Sequence, residues 1–381
     1  MVFEAKFTYT NSIVRNLGII ELSRGIVELL PLPPDKAFYL KHIARYKSTR
    51  NSTAIEGNTL TDRETIKAVV RPDTSSADMQ QEVRNYWEAL DWLEKQVEEK
   101  RRITEDFIKE LHCIIEVRGA GRRGTKSTYR TMECPVVDSR THDIDYAPAE
   151  PKDIPELMND LISWLHSKNT AELPVPIRAG LLAHRFVSIH PFSDGNGRTT
   201  RALATAELWL GGYDMRGFLS LEEFYSKNRQ KYYASLQMGL PWNFYDGRNN
   251  PDHTEWLEYF ISMMARAADE LQKEAVKMNI PRGRIELVWE ELKRLQQQLL
   301  SQLLLQQLDN PNASMDFTPG DICEWYGVSV NTAREWLKEW REENFVEATR
   351  EGTRIRQYRL ATKWHKLVLD VANSARNSTS I

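Results

Sequence analysis

Apolar residues that return every three or four positions run through most of this chain and commit it to helices. In ADMQQEVRNYWEALDWLEKQV, Tyr86, Leu90, Leu93 and Val97 share one helical face. ITEDFIKELHCIIEV, IPELMNDLISWLHS, VPIRAGLLAHRFVSI, TRALATAELWLGG and HTEWLEYFISMMARAADELQ repeat the period, so the expected fold class is mainly α. One stretch departs from it. Between Gly119 and Pro151 glycines, prolines and β-branched residues replace the helical spacing, which predicts a loop carrying a short β-hairpin. PLPPDK, Pro31 to Lys36, punctuates the chain before a helix from about Ala37, and the opening 30 residues, a mixture of polar and apolar types, are assigned no element. IPRGRIELVWEELKRLQQQLLSQLLLQQL predicts a long connecting helix whose glutamines form a solvated face.

A chain of 381 residues is long enough for two or three domains. The expected organisation is an N-terminal helical region over 1–110, a core with the hairpin over 111–275, the connecting helix over 276–312 and a C-terminal domain over 313–381. In that last part PGDICEWYGVSVNTAREWLKEWREENFVEATREGTRIRQYRL reads as a helix, a tight turn at Gly327, a second helix capped near Ser329, and two strands around REGTR. The pattern resembles a winged helix-turn-helix, with Ala333, Trp336, Leu337 and Trp340 as the apolar face of its second helix. Between Asp321 and Lys366 nine Lys or Arg stand against eight Asp or Glu, far from the basic footprint that phosphate neutralisation requires. REGTRIRQYR is a local exception, so nucleic acid is a weakly supported partner, and a protein-docking or dimer-forming module fits at least as well.

The net charge of −3 exerts no global pull toward polyanions, and 41% hydrophobic with 28% charged residues reads as soluble and globular. Cys113, Cys134 and Cys323 form no C-x-x-C pair, which points away from a zinc cage or a disulfide framework and toward a reducing cytoplasm. MVFEAKFTYT lacks a basic region followed by an apolar core, and no run of about 18 apolar residues occurs, so neither targeting nor a membrane is expected.

Two glycine-rich stretches look as if they bind phosphate. GAGRRG, Gly119 to Gly124, has the G-x-G-x-x-G spacing of a dinucleotide-binding turn, but it follows a helical run rather than a buried strand. It reads as a loop. HPFSDGNGRTTR, His190 to Arg201, has the right surroundings. Proline after His190 disfavours helical dihedrals at the histidine and ends the preceding helix there. Gly195 and Gly197, with Asn196 between them, permit a nest of converging N–H groups, and a helix from about Thr199 adds its positive end. Arg198 and Arg201, three apart on the first turn, are expected to reach the same mouth and bind phosphates. Asp194 repels a bare phosphate but suits Mg2+, a hard cation that takes carboxylate and phosphate oxygens together. Taken singly, each of these residues also fits a cap or a carbonyl ligand. Their combination in one segment is what points to nucleotide chemistry.

A second stretch, STAIEGN, places Glu56 at a helix end that Gly57 closes. A carboxylate at the negative end of a helix dipole calls for a cation, and an arginine would supply it.

HPFSDGNGRTTR matches every defined position of the Fic signature, and the chain resembles the Fic family over roughly residues 30–270. YRTMECPVV and YAPAEPKDIPELMNDL look like that family's hairpin flap and the helix after it, and SLEEFYSKNRQKYYASL like the region beyond the motif. The resemblance implies a protein adenylyltransferase that moves AMP from ATP to a protein hydroxyl. It implies His190 as general base, titrating near ~6.5 when unperturbed. It further implies Asp194 as the Mg2+ ligand, Gly195, Asn196, Gly197, Arg198 and Arg201 on the phosphates, and Phe192 as an inward loop anchor. Tyr232 and Tyr233 resemble the family's tyrosines near the adenine, although their spacing equally fits core aromatics on a helix. Target segments would add a strand to the flap at Thr131, Met132, Val136 and Val137. Ser52, Glu56 and Gly57 match the family's inhibitory helix motif, which implies that Glu56 pairs with Arg201 and restrains the enzyme. Removal of AMP at the same site, with Glu56 positioning water, is the alternative within this class, and a DNA-binding regulator is the alternative outside it. Family members often pair, and IELVWEELKRLQQQLL offers a face for a homodimer.

Overall fold

The helical period is realised almost throughout. The computed structural model describes residues 3–70, 78–116, 126–137, 144–278, 292–350 and 357–378. In chain order, α1 (Asn11–Leu29), α2 (Pro34–Ile55), α3 (Asp62–Val70), α4 (Asp78–Glu98) and α5 (Glu105–Glu116) precede a hairpin of β1 (Val136–Val137) and β2 (Ile144–Tyr146). Then come α6 (Ile154–Leu165), α7 (Lys168–Ala171), α8 (Val175–Ile189), α9 (Asn196–Leu210), α10 (Glu222–Ser226), α11 (Arg229–Gln237) and α12 (Thr254–Met278). The chain finishes with α13 (Arg294–Asp309), α14 (Pro319–Tyr326), α15 (Val330–Glu342), β3 (Val346–Arg350), β4 (Gln357–Leu360) and α16 (Thr362–Ser378). These elements sort into two compact units, one of Met1–Pro31, Ile43–Thr59 and Ala77–Ile280, the other of Leu32–His42, Leu60–Ser76 and Pro281–Ile381.

The larger unit is built around α8. Its Ile177, Leu181, Leu182, Phe186 and Ile189 are fully buried, and the helix packs on α9, α6 and α12. The approach to α12 is close because Gly180 lacks a side chain: a Cβ there would lie 2.9 Å from Leu257 and 3.0 Å from Phe260. Trp256 uses the same opening, its indole N–H donating to the Gly180 carbonyl at 2.7 Å. Helices α4 and α5 pack on each other and on α9. The hairpin is antiparallel, Val136 opposite Tyr146 and Val137 opposite Ile144, with an irregularity between the two pairs. Buried Tyr146 anchors it, its hydroxyl donating to the Ser188 carbonyl on α8.

Helix α1 forms where the sequence assigns no element. It lies along α12 and buries Ile13, Ile20 and Val27, while Val14, Leu22 and Leu29 on the other side remain exposed. A helix with apolar residues on both faces has no amphipathic stripe to detect.

In the smaller unit α13 packs on α3 and α16. Thr318 and Asp321 form a capping box at the start of α14, Gly327 ends that helix at φ 65°, and Ser329 caps α15 through the Thr332 N–H. Both are the positions expected from the sequence. Ala333, Leu337 and Trp340 are buried, and β3 pairs antiparallel with β4. The GAGRRG loop, residues 138–143 of the hairpin, residues 279–291 of the expected connecting helix and residues 351–356 around REGTR lie outside the described residues.

The α8–α12 contact predicts that Gly180→Val overpacks the core and lowers stability by about 1–3 kcal/mol. The urea midpoint of the variant is expected to fall, and an unchanged midpoint contradicts this packing.

Candidate active site

The turn between α8 and α9 is where the chemistry-bearing residues meet. His190 ends α8 in a left-handed conformation, φ 54° and ψ 58°, with its N–H still donating to the Phe186 carbonyl. Pro191 forbids further helix. Phe192 turns inward, 1% exposed, and stacks on the His112 ring of α5 with centroids 3.7 Å apart. Asn196 then closes the loop on itself: its amide oxygen accepts from the Phe192 N–H at 3.0 Å and its amide nitrogen donates to the Phe192 carbonyl at 2.7 Å. The Asn196 side chain is therefore a brace inside the loop. What it leaves at the mouth is the start of α9, which begins at Asn196 rather than near Thr199, with the outward N–H groups of a helix first turn. Gly195 makes that start feasible. It is left-handed at φ 71°, and its N–H donates to the Asp194 carboxylate at 2.7 Å.

Two carboxylates stand against this loop from other helices. A Cβ on Gly195 would meet the Glu116 carboxylate at 2.3 Å, and one on Gly197 would meet the Glu56 carboxylate at 2.2 Å. Each carboxylate holds one arginine. Arg201, 3% exposed, places Nη2 at 2.8 Å from Glu56 Oε1, and donates from Nε to the Ser52 hydroxyl at 2.9 Å and from Nη2 to the Ser52 carbonyl at 2.8 Å. Burial opposes its charge, yet Glu56 and the neighbouring tyrosine oxygens raise its pKa above the ordinary arginine value. Its Nη1 is buried with no hydrogen-bond partner among the described residues. Arg198 lies 2.8 Å from Glu116, 3.3 Å from Glu82 and 3.7 Å from Asp194. The two guanidiniums thus go to different carboxylates instead of one common mouth, because α2 offers its acid to one and α4 and α5 offer theirs to the other. Gly57 follows Glu56 at φ 99°, turning the chain away after α2.

His190 keeps some exposed surface, yet its imidazole is pushed down to about 4. Burial is the main cause and the Arg130 charge adds to it, against the Val187 carbonyl, Glu56 and Asp194. The unperturbed value near ~6.5 is thus replaced by one that leaves the ring neutral at pH 7. The Asp194 side chain is 60% exposed. Tyr232 is a buried core ring stacked on Tyr225, whereas half-buried Tyr233 donates its hydroxyl to the Ile55 carbonyl at the end of α2. Thr131 and Met132 before the hairpin and Val136 on it are exposed, Met132 at 78%, while the side chain of Val137 lies outside the description.

Sequence reasoning missed Glu116, His112 and Arg130. Glu116 and His112 lie four apart on α5, and His112 joins the loop to the chain before the hairpin, with Nε2 2.9 Å from the Asp194 carbonyl and Nδ1 2.7 Å from the Ser127 hydroxyl. No local motif marks them, since only the packing of α5 on α9 brings them to the loop.

Residues 102–208 match the Fic/DOC family model. The chain carries a Fic domain. It is 33% identical over 183 residues to "Protein adenylyltransferase Fic" of Nematostella vectensis, which covers 47% of this chain and 39% of that one. With the protein of the same name from Aedes aegypti it shares 31% over 208 residues, 54% of this chain and 38% of that one. The chain thus spans about two fifths of the length of the curated relatives it matches. A solved Fic family protein from Desulfovibrio desulfuricans G20 shares the fold at a TM-score of 0.58 and 20% identity, over 94% of this chain and 99% of that one.

Three histidines of the larger unit, His112, His190 and His253, are pushed down to about 4, and His184 is lowered as well, burial being the main cause each time. In the unfolded chain the same rings titrate near ~6.5. Between these values the unfolded state binds more protons, so stability present above pH ~6.5 is lost as pH falls toward 4. Tm is expected to drop from pH 7 to pH 4.5, and a flat Tm across that window would show that these rings are not held neutral.

Proposed function

We propose that this chain is a protein adenylyltransferase, moving AMP from ATP to a hydroxyl side chain of a protein. The observation that carries the reading is the placement of His190 on the same turn as the positive start of α9. The N–H groups at that start suit the phosphates of a nucleotide. His190 takes the proton of the acceptor hydroxyl as its oxygen bonds to the α-phosphorus, and the bond to the bridging oxygen breaks, releasing pyrophosphate. With a pKa near 4 the ring is free of a proton at neutral pH, which favours its role as base over a role as acid.

Asp194, a largely exposed carboxylate at the mouth of the loop, fits Mg2+, which takes one or two carboxylates and completes its shell with water and substrate phosphates. When bound, Mg2+ would neutralise charge on the phosphates. Among the described residues no cluster of three metal-ligating side chains occurs, in keeping with a metal held largely by the nucleotide. The short strand at Val136, itself exposed, suits an acceptor segment added as a strand.

Glu56 restrains this activity. Its carboxylate lies 2.8 Å from Arg201 and abuts Gly197, so the guanidinium is engaged before a nucleotide arrives. The same position gives a second reading some support: Glu56 faces His190 closely enough to affect its titration and could orient a water for AMP removal. For the smaller unit, the order α14, α15, β3, β4 supports a winged helix-turn-helix. Its balanced charge favours a protein-docking role over DNA. Three free cysteines suit a reducing cytoplasm, and no helix of the described residues is long and apolar enough to cross a membrane. The homodimer face expected in IELVWEELKRLQQQLL is not offered by its described part, where Leu299 and Leu300 are fully buried within the chain.

With α-labelled ATP and Mg2+, Glu56→Gly is expected to raise label on protein by about tenfold or more, the scale of one lost charge-pair restraint. His190→Ala should lower it by ~10²- to 10⁴-fold while ATP binding persists. Equal labelling by parent and Glu56→Gly would remove the restraint, and undiminished transfer by His190→Ala would remove the base.

A further inference from the structure

Arg130 is a buried cation with no carboxylate partner in any ion pair of the described residues. It is 5% exposed, and burial lowers its pKa. Each of its three guanidinium nitrogens donates to a main-chain carbonyl instead. Nε reaches His190 at 2.8 Å, Nη1 reaches Met132 at 3.1 Å, and Nη2 reaches Ala149. The Arg130 backbone N–H adds a fourth tie, to the Pro191 carbonyl at 3.0 Å. These acceptors are not scattered. Met132 and Ala149 flank the hairpin, one on each side, and His190 and Pro191 are the two residues at which α8 turns into the loop.

We infer that Arg130 is a positioning residue: its planar fork locks His190 in the left-handed backbone and fixes both ends of the hairpin to that residue. This rests on the adenylyltransferase reading for its purpose, since an acceptor strand laid on the hairpin then meets the imidazole at a set distance. The physical reason lies in the donor pattern. A carbonyl lone pair at each of three directions in one plane matches guanidinium, and an ammonium, a single point charge, cannot span them. A left-handed histidine before a proline is a strained arrangement that persists only where its surroundings over-determine it. The carbonyl of that very residue is what Nε holds.

The placement has an electrostatic consequence as well. The charged groups facing the His190 ring are Arg130 from the hairpin base, Glu56 from the end of α2 and Asp194 from the loop, with the Val187 carbonyl of its own helix. Among the three charges only Arg130 opposes protonation. Its loss removes the one charge opposed to protonation, and Asp194 still favours the protonated ring where Glu56 has been replaced, so the ring should titrate higher.

The test uses the full chain in the Glu56→Gly background, with Arg130→Lys and Arg130→Gln. Arg130→Lys keeps the charge and loses the fork. Its kcat is expected to fall about 100-fold, the scale of a misplacement near 1 Å, while KM for ATP stays within about threefold because no nucleotide contact is removed. In both variants backbone amides of 126–137 and 144–149 should exchange faster with deuterium. In Arg130→Gln the His190 resonance, followed in ¹³C-histidine-labelled protein, should titrate at higher pH. Unchanged exchange together with retained kcat overturns the inference, as does a loss of kcat and ATP binding in step with a lowered Tm, which marks a merely structural residue. If the Glu56→Gly parent transfers no AMP, the adenylyltransferase reading fails, while exchange and the His190 titration still decide whether Arg130 positions this turn.

Discussion

Pro191 prevents α8 from continuing past His190, and everything in the site follows from how the chain survives that stop. The histidine takes a left-handed conformation, the next residue buries its ring against α5, and Asn196 ties both main-chain groups of Phe192 so that α9 can begin at once. A turn of six residues between two packed helices has little freedom left. That rigidity lets backbone N–H groups point outward without a partner on the chain itself, the ordinary condition for binding an anion at a helix start.

Around this turn the electrostatics are arranged in opposed pairs. Arg201 meets an acid from the end of α2, and Arg198 meets acids from α4 and α5, so neither guanidinium adds unscreened charge to the resting site. Arg198 and Arg201 are almost fully buried, and a buried cation without an acid or a set of carbonyls would be costly. Glu56, 30% exposed, lies just beyond the last residue of α2, whereas Glu82 and Glu116 lie within helices. Without Glu56, Ser52 would still hold Arg201 through its hydroxyl and carbonyl, which separates keeping the arginine ordered from keeping it occupied.

Several parts of this arrangement were legible in the sequence. The glycine at 195 and the proline after His190 follow from local backbone requirements, whereas the inward Phe192 and the Glu56–Arg201 pairing were implied by the resemblance to the Fic family. Gly327 and Ser329 were legible for the first of these reasons, since a left-handed helix end and an N-cap are chemistry of a few consecutive residues. Other features were not. Helix α1 is apolar on both sides and shows no stripe. Tyr232 and Tyr233 are neighbours of one type, yet one is core and the other reaches α2, a difference set only by which helix lies across from each. The depressed pKa of His190 could not be read either, because burial and Arg130 reach it from elsewhere in the chain.

By itself, then, the sequence determined where helices stop, which residues tolerate a positive φ, and which charged types gather near one turn, because these depend on sterics and hydrogen bonding within about one turn of chain. Tertiary structure alone decided that Arg198 turns to Glu116 and Glu82, that Glu116 and His112 stand against the loop, and that Arg130 joins the hairpin to His190. Those contacts bring together residues tens of positions apart, and no local rule fixes a partner whose approach depends on how whole helices pack.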